Sequence, residues 1–318
     1  MRIVLLDSFT TDQGDTSWPG LRPLGDLTVF ARTRPAEVRE RCAGAEAVLT
    51  NKVVLSAELI ACLPDLRYIG LTSTGTNVVD LEAARARGIA VTNVPAYSTE
   101  SVAELVFAMV LHFSFRASVH DAAVKSGRWA VAPDFCFFLA PLRELAGKIL
   151  VVLGLGAIGR AVARIAAAFG MKVIAAAVPG STTRERMPLA RALPLADVVT
   201  LHCPLTPETR CLINREFLAA LSADAILINT SRGPIVDESA LLEALRAGRL
   251  GGVGLDVLAQ EPPAPDHPLL DPNAPWANRL LVTPHLAWGT VEARQRLAAE
   301  VAQNLAAFLA GQHRNRVD

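Results

Sequence analysis

Two pieces of chemistry can be read in the second half of this sequence. One is a turn suited to a diphosphate: Val151-Val152-Leu153-Gly154-Leu155-Gly156-Ala157-Ile158-Gly159-Arg160. Glycines so spaced are a weak signal alone. Here an apolar, β-branched run precedes them and a helical pattern, Ala161 to Phe169, follows, which makes the signal strong. In that setting Gly154 makes the tight turn, Gly156 lets the backbone approach a pyrophosphate, and Gly159 permits close packing of helix on strand. The helix N-terminus, led in by Ala157 and Ile158, then offers free N–H groups and the positive end of a dipole to the phosphates.

The other piece is a set of polar side chains placed where apolar runs end. Thr230-Ser231-Arg232-Gly233 follows Ala225–Asn229; Asp256 and Glu261 follow Gly252–Leu255; His285 follows Leu280–Thr283. In open parallel sheets, ligands bind outside the carboxyl ends of the strands. A guanidinium is planar, permanently charged and two-pronged, which matches a substrate carboxylate better than an ammonium does. Imidazole titrates near neutrality, so it can protonate a carbonyl oxygen as hydride reaches the carbon. A carboxylate beside an imidazole favours its charged form and fixes its tautomer, the part expected of Glu261. Read singly, the three would be a surface cation, a solvated acid and a satisfied buried imidazole. Read together, they fit reduction of a 2-oxo acid by a nicotinamide dinucleotide.

These groups need a scaffold, and the alternation of short apolar runs with helical patterns points to parallel βαβ units. Early strands are expected at Ile3–Leu6, Ala47–Thr50, Tyr68–Leu71 and Ala90–Asn93, with helices at Ser56–Leu63 and Asp80–Arg87 opening on the capping residues Ser56 and Asp80. A long apolar helix, Glu100 to Ala117, and an irregular aromatic stretch, Gly127 to Pro141, interrupt the rhythm. A second series then runs through Ile149–Leu153, Lys172–Ala176, Val198–His202, Ala225–Asn229, Gly252–Leu255 and Leu280–Thr283, enough for a complete doubly wound dinucleotide domain. A last helix, Val291 to Leu309, begins after Thr290 and ends before Gly311.

Composition narrows the class. At 318 residues, two domains are expected. Lys plus Arg and Asp plus Glu balance at 31 each, so no field draws the chain to nucleic acid or membrane. No apolar run is long enough to span a bilayer, and Asp7 closes the segment Ile3 to Leu6 before it could form a leader. Five scattered cysteines without CxxC spacing argue against a disulfide framework or zinc cluster, and for a reducing, cytoplasmic compartment. No metal site is expected. Where a dinucleotide domain usually carries an acid for the adenosine ribose, this chain has Ala177, followed by Val178-Pro179-Gly180-Ser181-Thr182-Thr183-Arg184. No acid there would repel a ribose phosphate, so NADP(H) and NAD(H) both stay open.

At this point the sequence resembles the D-isomer-specific 2-hydroxyacid dehydrogenases, and within them the glycerate dehydrogenase (hydroxypyruvate reductase) branch. The stretches that carry the resemblance run from end to end. They are Leu71-Thr72-Ser73-Thr74-Gly75-Thr76-Asn77, Thr92-Asn93-Val94-Pro95-Ala96-Tyr97-Ser98, the glycine loop with Phe169-Gly170-Met171, Leu201-His202-Cys203-Pro204-Leu205-Thr206, Asn229-Thr230-Ser231-Arg232-Gly233, and the Glu261 and His285 segments. The resemblance implies an α/β fold of two doubly wound parallel-sheet domains with a cleft between them. A flavodoxin-like substrate domain would take residues 1–98 plus 289–318, and a Rossmann dinucleotide domain residues 99–288.

It also implies roles. Arg232 would bind substrate, His285 would be the acid/base and Glu261 its partner. The amides of Ser73, Thr74, Gly75 and Thr76 would cradle the carboxylate. Asp256 would hold the nicotinamide carboxamide, with Thr230 and Ser231 near it, while Thr74, Cys203 and Pro204 would add cofactor contacts. Hydroxypyruvate/D-glycerate and glyoxylate/glycolate lead as substrates, and the apolar helix with its aromatic loop resembles a homodimer interface. Lys52 and Trp288 could reach substrate, or be a solvated lysine and a core filler. From another class, the same fold could serve an NAD(H)-sensing corepressor-like binding protein. The retained Arg, Glu and His favour the enzyme.

Overall fold

The computed structural model describes residues 1–183 and 186–318, and the chain divides into two compact units, Met1–Ser98 with Trp288–Asp318 and Thr99–Ala287.

The first unit holds a parallel sheet of β1 (Arg2–Leu5), β2 (Asp26–Val29), β3 (Ala47–Thr50), β4 (Tyr68–Leu71) and β5 (Ala90–Thr92), in the order β2-β1-β3-β4-β5. That is the flavodoxin-like doubly wound order. The inner strands β3 and β4 are buried along their whole length, because helices cover both faces. On one face lie α1 (Val38–Cys42), α2 (Ala57–Ala61) and α3 (Leu81–Ala86); Ser56 Oγ accepts the Leu59 N–H and Asp80 Oδ1 the Ala83 N–H, as their positions foretold. On the other face the last helix, Val291–Leu309, buries Ala293, Leu297, Val301 and Leu305 against Trp18, Leu21 and Tyr68. Two elements had escaped the sequence reading. Edge strand β2 is only half-buried and so lacks a clear apolar run, and α1 is a five-residue helix rich in charge.

The second unit opens with α4 (Thr99–Phe115) and α5 (Ala117–Lys125), joined at an angle of 57°. The helix expected over Glu100–Ala117 is α4, which ends two residues early, and α5 is a further helix that the sequence pattern does not mark. The break falls at Arg116, whose φ of 49° is left-handed and whose guanidinium reaches the carbonyls of Gly251 and Asn278. Tertiary bonds override local helix propensity there. Among the described residues no single helix is long and apolar enough to cross a membrane.

The sheet that follows is parallel throughout. Its strands are β6 (Ile149–Leu153), β7 (Lys172–Ala176), β8 (Val198–Leu201), β9 (Ile226–Asn229), β10 (Gly252–Leu255) and β11 (Leu280–Val282), in the order β11-β10-β9-β8-β6-β7. The helices are α6 (Ala157–Ala168), α7 (Leu189–Ala192), α8 (Arg215–Ala220) and α9 (Glu238–Arg246), with α10 (Val291–Leu309) the helix already described in the first unit. Met187 forms a one-residue parallel bridge outside β7, through Met187 N–H to Ala175 O and Ala177 N–H to Met187 O. Counting that bridge as a strand restores the order of a dinucleotide-binding sheet. Strand order reverses at β6, between β7 and β8. Helix α4 closes one face, burying Val106, Met109 and Val110 with Leu150, Val152 and Ile228.

Candidate active site

The reversal point carries the glycine turn. Gly154 has φ +96°, and a side chain on it would lie 2.6 to 2.7 Å from the backbone of His202 and Cys203. Helix α6 begins at Ala157, four residues before the start expected from sequence, because the low helix propensity of Gly159 masks its first turn. A Cβ at Gly159 would meet the Gly154 carbonyl oxygen at 2.0 Å, so turn and helix touch directly. Gly156 is different: it caps the helix without a side chain, and a Cβ on it would meet nothing within 4 Å. The first intrahelical bond is Arg160 N–H to Gly156 O, and among the described residues the amides of Ala157, Ile158 and Gly159 have no hydrogen-bond partner. The backbone thus fits a pyrophosphate.

Beside the turn, just past the ends of β8 and β9, His202 Nε2 and Thr230 Oγ1 are buried and have no hydrogen-bond partner among the described residues. Burial holds the His202 imidazole down at about 4, so it is neutral at physiological pH. Unpaired groups of this kind at the mouth of a dinucleotide turn fit a polar ligand that would satisfy them. Cys203 meets the turn through its peptide; its thiol is buried and pushed up by burial, while Pro204 is exposed.

At the adenosine end the fold adds a charge that the local sequence does not show. The loop after β7 has no acid among residues 177 to 183, and Arg184 lies outside the described residues. An acid nonetheless arrives from elsewhere. A Cβ on Gly180 would lie 3.3 to 3.4 Å from Cγ, Cδ and Oε2 of Glu208, in the loop after β8. A hydrogen bond from the Thr206 hydroxyl holds the Glu208 carboxyl below its usual range, so it is charged. No spacing rule marks Glu208; only the fold brings it beside Gly180.

The three candidate catalytic side chains stand at the carboxyl ends of β9, β10 and β11, which are neighbours in the sheet. His285 Nδ1 and Glu261 Oε2 are 2.6 Å apart, and the other Glu261 oxygen accepts the Leu258 N–H at 3.1 Å. Both side chains are about one-third exposed, at 31% and 37%, so a ligand can reach them. With Nδ1 engaged, Nε2 is left to exchange a proton. His285 sits at φ +52°, a conformation costing of order 1 kcal/mol that surrounding bonds must impose. Its N–H donates to the carbonyls of Asp256 and Thr283.

Asp256 imposes most of that geometry. It is 1% exposed; Oδ1 accepts the Thr283 hydroxyl at 2.6 Å and the Leu286 N–H at 2.9 Å, and Oδ2 accepts the Ala287 N–H at 2.9 Å. Burial raises its carboxyl above the usual range, with these bonds acting against the rise. Both oxygens expected at the nicotinamide are therefore engaged in holding the turn that presents His285.

Arg232 is exposed, and among the described residues no acid pairs with its guanidinium, which touches only the Ser231 carbonyl at 2.7 Å. Buried Asn229 shapes its turn, accepting from the N–H and hydroxyl of Ser231 and donating to the Arg232 carbonyl. Gly233 then lies flat on the Leu258–Ala259 peptide, where a Cβ would be 1.9 Å from Leu258 O.

In the first unit, the loop after β4 uses its hydroxyls internally: Ser73 Oγ donates to Gly75 O and Thr74 Oγ1 to Val94 O. The amides of residues 73 to 76 have no protein partner among the described residues, so only the backbone is offered there. Lys52 extends an exposed side chain from a turn whose amides bind Asp7. Trp288 packs edge-on against Tyr97 at the rim of the core.

A dinucleotide-binding turn and an Arg, Glu and His set on one parallel sheet define an NAD(P)-dependent oxidoreductase. Residues 107–287 match the family model for the D-isomer specific 2-hydroxyacid dehydrogenase NAD binding domain. The chain is 38% identical over 326 aligned residues to a hydroxypyruvate reductase of Blautia hydrogenotrophica, covering 100% of both chains. To a glycerate dehydrogenase of Methylorubrum extorquens it is 43% identical, covering 89% of each. The solved structure of an NADPH-dependent glyoxylate/hydroxypyruvate reductase from Sinorhizobium meliloti superposes with a TM-score of 0.82 at 27% identity, over 99% of this chain and 97% of that one. The chain belongs to the D-isomer-specific 2-hydroxyacid dehydrogenases.

Proposed function

We propose that this dehydrogenase reduces hydroxypyruvate or glyoxylate, small 2-oxo acids, with Arg232 as the carboxylate anchor and His285 as the proton donor. The observation that carries the reading is the 2.6 Å pairing of His285 Nδ1 with Glu261 on strands next to the one that ends at Arg232. When bound, the nicotinamide supplies the hydride. Arg232, which pairs with no acid among the described residues, takes the substrate carboxylate in a two-pronged bond. As charge develops on the C2 oxygen, His285 Nε2 gives up its proton while Glu261 balances the imidazolium. The reverse reaction uses the same groups, with His285 as base. Ala157, Ile158 and the three glycines of the turn hold the pyrophosphate, and Cys203, Pro204, Thr230 and Ser231 add dinucleotide contacts.

The test is a panel of 2-oxo acids assayed with NADH and with NADPH. The expected result is highest kcat/KM for hydroxypyruvate or glyoxylate, with the D-configuration in any chiral product. Preference for a branched or aromatic 2-oxo acid overturns the substrate assignment, and dinucleotide binding without turnover supports a sensor instead. The nicotinamide form is decided in the same assay, between Ala177, which admits a ribose phosphate, and charged Glu208, which opposes one.

The five free cysteines support a reducing, cytoplasmic setting. A homodimer is part of the same proposal. Trp129, Val131, Phe135 and Phe138 are exposed by 53 to 88% on one stretch of chain, more than a solvent-facing loop normally carries. Sedimentation at micromolar concentration is expected to give twice the chain mass of 33.8 kDa; a monomer refutes it.

A further inference from the structure

The Glu261 loop is held from behind by two residues to which no role has so far been given. Glu238 is the first residue of α9, next to Asp237, which caps that helix. Its Oε1 accepts the Ala259 N–H at 2.8 Å and its Oε2 lies 3.2 Å from His267 Nε2. His267 Nδ1 accepts the Leu269 N–H at 3.3 Å, so the ring proton is on Nε2 and is donated to Glu238. Both side chains are mostly buried, at 14% exposure for His267 and 21% for Glu238.

The two consecutive amides of Leu258 and Ala259 are thus held by two carboxylates, Glu261 and Glu238. Glu261 is bonded to the first of these amides and directs its second oxygen to His285. A shift of the Leu258–Ala259 peptide would therefore shift Glu261. His267 closes the far end of the same loop onto the same Glu238 carboxylate, so the segment from Ala259 to His267 is tied at both ends to α9.

We propose that Glu238, oriented by His267, is a positioning residue that fixes the Glu261 carboxylate against His285; this rests on the acid/base reading of that pair. A catalytic group must be held to within a fraction of an ångström, and a displacement of 1 Å can cost about a hundredfold in rate. Glu238 bonds to the Ala259 N–H and to His267 and to neither Glu261 nor His285, so its loss is expected to act on kcat chiefly through Glu261.

The experiment is a double-mutant cycle between Glu238→Ala and Glu261→Gln, with kcat, KM and the Kd for NADH measured on the full chain. Glu238→Ala is expected to lower kcat about tenfold, with KM and Kd within about twofold of wild type. In the Glu261→Gln background the same change is expected to lower kcat by less than about twofold, since the group it positions is already gone. Glu238→Gln, whose amide oxygen can still accept the Ala259 N–H, is expected to recover part of the loss. His267→Asn provides a second variant that leaves Glu238 in place, with a smaller fall in kcat that again vanishes beside Glu261→Gln.

An undiminished kcat in Glu238→Ala overturns the inference. So does an equal fall in both backgrounds. If His285→Gln itself leaves kcat intact, the acid/base reading has failed; if it collapses kcat while Glu238→Ala does nothing, the positioning role alone has failed.

Discussion

His285→Gln is expected to lower kcat about a thousandfold while the Kd for NADH stays within about twofold of wild type, as measured by stopped-flow turnover and nicotinamide fluorescence. Positioned acid/base groups contribute about 10² to 10⁴ in rate, and Gln has no proton to give at this point in the cycle. The substitution is otherwise mild. Asp256 holds the turn through the Thr283 hydroxyl and the Leu286 and Ala287 amides, none of which involves the imidazole. The side chain at 285 is partly exposed, so no core packing is lost. A fall in kcat without a fall in dinucleotide affinity therefore isolates proton transfer. Near-normal turnover would remove His285 from the mechanism.

Arg232→Ala is expected to reduce kcat/KM about a thousandfold, or about 4 kcal/mol at 1.36 kcal/mol per decade. The magnitude follows from removing a charge-assisted, two-pronged bond and leaving the substrate carboxylate poorly compensated. Arg232→Lys keeps the charge but not the fork and is expected to recover only part of the loss. Thermal stability is not expected to change, because the guanidinium makes one internal bond, to the Ser231 carbonyl, and pairs with no acid among the described residues. Steady-state kinetics on hydroxypyruvate and glyoxylate, with a thermal melt beside them, provide the check. An unchanged kcat/KM rules Arg232 out as the anchor.

Much of the sheet scaffold could be read from the chain because buried parallel strands are continuous apolar runs. β3, β4, β6 and β10 fall at the residues expected, as does the half-exposed but still apolar edge strand β7, and the caps Ser56, Asp80 and Thr290 open the helices they announce. Local pattern failed where tertiary structure takes over. α5 hides because it buries none of its residues, and β2 hides because an edge strand need be only half-buried. The same division runs through the site. Arg232, Glu261 and His285 were legible as chemical types at strand ends. Glu208 and Glu238 were not, since each acts through a contact with a loop far from it in sequence. Asp256 was legible as important, but its bonds to the His285 turn could come only from coordinates.

Gly233 has a mechanical consequence. Its backbone rests on the Leu258 carbonyl with clearance for hydrogen alone, since a methyl carbon would stand 1.9 Å from that oxygen. The loop that carries Arg232 and the loop that leads to Glu261 are consequently packed backbone to backbone. Any side chain at 233 must push the two loops apart, so neither can be remodelled along this seam without displacing the other.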